Sequence, residues 1–123
     1  MTEISVLIVE DSFYSADLNV RELKKAGFTV RHLMVSSGHA MQKALKEDKW
    51  DLIISDNSMP NFNALKALEL RNSTDSNIPF IIVSEDIGQK DIDEAFAKGC
   101  SAYVQKEHLR ELRKVAADIL TQK

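Results

Sequence analysis

A chain of 123 residues suits a single domain, and 44% apolar residues are enough to fill one core, which argues against disorder. A net charge of −3 without a basic cluster excludes nucleic-acid binding driven by charge alone, and one cysteine, Cys100, excludes an intramolecular disulfide or a cysteine metal cluster. Met1-Thr2-Glu3 does not open a signal peptide, and the apolar runs are far too short to span a bilayer, so a soluble, cytoplasmic protein is expected.

In chain order, Ile4–Val9 is the first predicted strand, and its apolar residues run on without polar alternation. Such a run suits a strand buried on both faces, as in a parallel sheet covered by helices. Phe13, Ala16, Val20 and Leu23 then step by three and four, and Lys24-Lys25 before Gly27 closes a helix. Thr29–Val35 is the second strand, and Ala40, Met41, Ala44 and Leu45 mark the second helical stripe. Leu52–Ile54 is the third strand, with Trp50 as a packing anchor just before it. Met59-Pro60 punctuates the loop that follows, and Asn63 caps a helix carrying Leu65 and Leu68. Phe80–Val83 is the fourth strand, followed by a helix with Ile92, Ala95 and Phe96 that stops at Lys98-Gly99. Ala102–Val104 is the fifth strand, and Leu109, Leu112, Val115 and Ile119 lie on the last helix. Strands alternating with single crossover helices predict right-handed βαβ units and an α/β fold. Residues 1–123 read as one domain with no linker or repeat.

In open α/β sheets, ligands bind at the carboxyl ends of the strands. Those ends bring together Glu10 and Asp11, Asp56, Ser84 and Lys106. Carboxylates gathered so closely call for a cation, and hard oxygen donors without His or Cys suit Mg²⁺ better than zinc. His32, His39 and His108 have no metal-like spacing, and Cys100 is expected to pack near the fifth strand.

Four stretches, Val9-Glu10-Asp11-Ser12, Ser55-Asp56-Asn57-Ser58-Met59-Pro60, Ile82-Val83-Ser84 and Tyr103-Val104-Gln105-Lys106, together resemble the response-regulator receiver domain of two-component signalling, over the whole chain and in the right order. Each alone is weak; four in register are specific. The resemblance implies a flavodoxin-like (βα)5 three-layer sandwich whose parallel sheet has the order 2-1-3-4-5. It implies that Asp56 accepts a phosphoryl group from a phosphohistidine on a sensor kinase or phosphotransfer protein. Asp11, Asp56 and the backbone carbonyl of Ser58 would ligate Mg²⁺, with Glu10 acting through water. Lys106 and Ser84 would hold phosphoryl oxygens, and Tyr103 would rotate as the switch. The surface of the fourth helix, fifth strand and fifth helix would then meet a downstream protein or output domain. Ser58 and Asp86 would flank the path of attacking water. The domain would be a switch rather than an enzyme.

Four positions depart from the family pattern. Glu107 follows Lys106, where proline after a cis bond is usual; a cis bond without proline costs about 3 kcal/mol, so a trans or strained bond is expected. Glu85 follows Ser84, where a small residue is usual, and predicts slow phosphorylation by small donors such as acetyl phosphate. Asn63-Ala64 replaces Asp-Gly, a minor change of loop shape, and Glu10 replaces aspartate in the acidic pair. Glu85 and Glu107 also support an alternative, a pseudo-receiver that binds partners without phosphorylation. A haloacid-dehalogenase-type phosphatase would need an acid where Ser58 stands. A flavodoxin would place flavin phosphate against Glu10 and Asp11, which would repel it.

Overall fold

The computed structural model describes residues 2–57, 59, 61–85 and 87–121. Five strands, β1 (Glu3–Val9), β2 (Thr29–Val35), β3 (Leu52–Ser55), β4 (Phe80–Ser84) and β5 (Ala102–Gln105), alternate with five helices. The helices are α1 (Phe13–Lys25), α2 (Gly38–Glu47), α3 (Ala64–Thr74), α4 (Gln89–Ala97) and α5 (Glu111–Thr121), and a 3-10 turn, Lys106–His108, follows β5. All pairings are parallel and the order is β2-β1-β3-β4-β5, as expected.

The period-two alternation of side chains divides the core into two layers. Leu7, Val9, Ile53, Phe80 and Ile82 face one side and pack with Met41, Leu45 and Leu68 of α2 and α3. Val6, Ile8, Ile54, Ile81 and Val83 face the other and pack with Val20 and Leu23 of α1 and Leu112 of α5. That is why the central strands show no polar alternation: both faces are covered. β2 is an edge strand and mostly exposed, with only Val35 fully buried.

Side-chain oxygens cap three helices. Ser12 Oγ accepts from Ser15 N (3.2 Å), Ser37 Oγ from Ala40 N (3.1 Å) and Asn63 Oδ1 from Lys66 N (2.9 Å). Such caps are worth about 1 kcal/mol each. Trp50 is buried, its indole donating to Ala44 O at 3.0 Å, and Cys100 Sγ lies 3.2 Å from Ala102 O, both in their expected packing roles.

Three side chains differ from expectation. Phe13 is 81% exposed although it is in phase with the buried stripe, because it opens α1 beyond the carboxyl edge of the sheet. Phe96 is 45% exposed, since α4 sits shallowly and turns only Ala95 fully inward. Met59, read as loop punctuation, is buried in the core layer beneath α3. Among the described residues no helix is long and apolar enough to cross a membrane.

Candidate acidic site at the carboxyl edge of the sheet

Parallel pairing brings the strand ends to one edge. Val9 of β1 lies opposite Ser55 of β3, and Ser84 of β4 opposite Gln105 of β5, so the residues just beyond these four positions converge. Backbone bonds hold the first of them: Asp56 N donates to Val9 O and Glu10 N to Val35 O, both at 2.9 Å. The loop after Asp56 is tied to α3 by Asn57 Oδ1, which accepts from Ala64 N (3.3 Å). Asn61 then turns the chain at φ 62°, a left-handed conformation asparagine tolerates better than most residues.

Carboxylate oxygens of Glu10, Asp11 and Asp56 lie within 4.8 Å of one another. Glu10 and Asp56 are buried and Asp11 faces solvent. Lys106 reaches in from the 3-10 turn, with Nζ 3.4 Å from Glu10 Oε2 and 3.5 Å from Asp56 Oδ2. Its bond to Glu107 is trans, as the absence of proline predicts, and the ammonium still arrives at the acids. One ammonium among three carboxylates leaves an excess of negative charge. Burial, and then repulsion from Asp56, raise the Glu10 carboxyl above its usual range; Lys106 and the Ser12 N–H oppose that shift. An oxygen-only donor set with an excess of negative charge could hold a divalent metal ion.

Ser84, at the end of β4, supplies a different observation. It is fully buried, and its hydroxyl has no hydrogen-bond partner among the described residues. A buried polar group left unpaired costs about 1–3 kcal/mol, so an acceptor brought within its reach would be favoured. Tyr103 is half-buried on β5, opposite Ile82, against the core layer under α3 and α4. Glu85, Lys106 and Glu107 line an opening of about 440 Å³ beside the acids.

The structure thus gathers Glu10, Asp11, Asp56 and Lys106, and places Ser84 and Tyr103 on the neighbouring strands. The Ser58 carbonyl and Asp86 lie outside the described residues. The pairing of Glu10 with Lys106 was missed from the sequence. Glu10 was expected to act only toward a metal, yet Oε1 also accepts from the backbone N–H groups of Asp11 and Ser12, each at 3.1 Å. Its extra methylene lets the side chain fold back over its own loop while still meeting Lys106.

Comparison with known proteins agrees with this arrangement. The family model described as response regulator receiver domain matches residues 6–117. The hybrid signal transduction histidine kinase G of Dictyostelium discoideum is 31% identical over 118 residues, a match spanning 92% of this chain and 3% of that protein. The curated relatives are much longer: this chain spans between 3% and 20% of their lengths. Among solved structures, a LuxR-family DNA-binding response regulator from Staphylococcus aureus superposes with a TM-score of 0.81 at 25% identity, covering 96% of this chain and 99% of that one. The receiver domain of the sensor histidine kinase PA1611 from Pseudomonas aeruginosa, with a magnesium ion in its active site cleft, has a TM-score of 0.80 at 18% identity and covers 98% and 100% of the two chains; at that identity it shows the fold alone. The match across nearly the whole chain, on a fold with the expected strand order and acidic edge, shows that this chain belongs to the response regulator receiver domain family.

Proposed function

We propose that residues 1–123 act as one phosphoryl-accepting switch with Asp56 as the acceptor. The observation that carries this reading is the pairing of a buried aspartate, held 3.5 Å from Lys106, with the unpartnered buried hydroxyl of Ser84 on the next strand. An Asp56 carboxylate oxygen attacks phosphorus, the bond to the donor imidazole breaks, and the electron pair leaves with the nitrogen, giving an acyl phosphate. Lys106 pairs with one oxygen of the new group, and Ser84 donates to another. The excess negative charge of Glu10, Asp11 and Asp56 fits Mg²⁺, and the ion bound in the PA1611 receiver supports that choice. Asp11, Asp56 and the Ser58 carbonyl would hold it, with Glu10 behind, and it would offset charge on the transferring phosphoryl oxygens.

The donor is a sensor histidine kinase or a histidine phosphotransfer protein in the cytoplasm. Two exposed aromatics, Phe13 and Tyr14, sit directly after Asp11-Ser12 at the rim, where a protein donor would cover them. Phosphorylation adds roughly −1.5 to −2 charges. Ser84 and Lys106 move inward, Tyr103 follows, and the α4–β5–α5 face changes its affinity for a downstream protein or output domain. The domain assists its own phosphorylation and hydrolysis, so it is a switch rather than an enzyme.

Beryllofluoride, a mimic of the aspartyl phosphate, provides the test. With Mg²⁺ it should shift amide resonances around Asp56, Ser84 and Lys106 in a saturable way, and the response should vanish in Asp56→Asn. A wild-type protein that ignores beryllofluoride at saturating Mg²⁺ would instead be a binding module that works without phosphorylation.

A further inference from the structure

We propose that Glu85 and Glu107 form an anionic rim that selects the phosphodonor by charge, disfavouring small dianionic phosphates relative to a phosphoramidate carried on a protein. The inference rests on Asp56 being the phosphoryl acceptor. Its geometry follows from strand register: Ser84 lies opposite Gln105, so Glu85 and Lys106 leave their strands side by side, and Glu107 follows within the 3-10 turn. These three residues line the opening of about 440 Å³, and both acids are exposed. Lys106, the third lining residue, is turned inward to Glu10 at 3.4 Å and Asp56 at 3.5 Å. The rim therefore presents two carboxylates to whatever approaches, in addition to the cluster of Glu10, Asp11 and Asp56 that Lys106 contacts.

A fixed potential acts on a donor in proportion to its charge. Acetyl phosphate is a dianion at neutral pH, whereas phosphoramidate carries one negative charge fewer because its nitrogen is protonated. In each case a bond forms between an Asp56 oxygen and phosphorus. The leaving group, acetate or ammonia, departs with the electron pair of the broken bond. If removal of the rim charges speeds the singly charged donor by some factor, the dianion should gain about the square of that factor. For exposed charges this means about two-fold for phosphoramidate and about four-fold for acetyl phosphate at low salt. A protein donor escapes the penalty, because its own surface can present cations to the rim.

The experiment compares wild type, Glu85→Gln, Glu107→Gln and the double variant. Phosphorylation of Asp56 is followed with each donor at fixed Mg²⁺ across a salt series. Glutamine keeps the shape and removes the charge. The expected result is a larger gain with acetyl phosphate than with phosphoramidate, greatest in the double variant and fading as salt rises. Equal gains with both donors, no gain, or gains indifferent to salt overturn the rim while leaving Asp56 as acceptor. If neither donor places phosphate on wild-type Asp56 and beryllofluoride also fails to bind, the acceptor reading falls and the rim with it.

Discussion

Replacing Ser84 with alanine should stabilise the resting protein and weaken its phosphorylated state. In the resting state the hydroxyl is buried without a partner, so Ser84→Ala removes an unsatisfied group at the cost of one small atom. Leaving such a group unpaired costs about 1–3 kcal/mol, part of which returns as lost packing, so a net gain of about 1 kcal/mol is expected. For a domain of this size that is a rise of about 4 °C in melting temperature. On the proposed function, the same hydroxyl should donate to a charged acceptor once Asp56 carries phosphate or beryllofluoride. A hydrogen bond of that kind is worth about 1.5–3 kcal/mol, so beryllofluoride should bind about 10- to 150-fold more weakly. Thermal melts with and without Mg²⁺ and beryllofluoride read both effects from one protein. A Ser84→Ala variant that melts below wild type in the resting state, or that binds beryllofluoride as tightly, refutes the assignment.

Divalent metal should stabilise the wild-type protein against heat by about 2.7 kcal/mol at one hundred times its dissociation constant, with no gain in Asp11→Asn, and acid should abolish the effect because protons compete for the same oxygens. Arg71 is buried, and its guanidinium donates to the carbonyls of Ser76, Ile78 (3.0 Å) and Gly99 (2.9 Å), so Arg71→Met should cost about 3 kcal/mol in urea unfolding while leaving beryllofluoride binding intact. Gly99→Ala should cost about 2 kcal/mol by the same measurement, since a side chain at φ 103° is strained and its Cβ would lie 2.8 Å from Arg71 Nη2. Glu22 of α1 is hydrogen-bonded by Arg113 of α5, which holds its carboxyl below the ordinary value of 4.5. A depressed acid stabilises the fold above the unfolded pKa and loses that contribution as pH falls through the folded one. A double-mutant cycle with Glu22→Gln and Arg113→Met should therefore show coupling of about 1 kcal/mol at pH 7 that disappears as pH drops below 4.5.

The residues that build the sheet were legible because a doubly covered strand leaves a plain signature. Ile81, Ile82 and Val83 alternate between two apolar layers, so no polar residue interrupts them. The acidic site was legible for the same reason: once the strand ends are placed, the side chains just beyond them must meet. Arg71 was not. A buried guanidinium whose two terminal nitrogens donate to three carbonyls from two loops carries no periodic pattern, and a polar residue on a helix is ordinarily read as solvated. Phe13 failed in the opposite direction, since helical phase says which way a side chain points but not whether the sheet still lies beneath it. The contact between Glu10 and Lys106 depends on side-chain reach across 96 residues of sequence, which no local pattern encodes.

The most direct test is to find where the phosphate goes. After reaction with phosphoramidate and Mg²⁺, borohydride reduction of the acyl phosphate and peptide mass spectrometry should mark the Asp56 side chain, and no other carboxylate or hydroxyl. A reduced product at Asp11 or Glu10, or a stable phosphate ester at Ser84, would contradict the account at its centre.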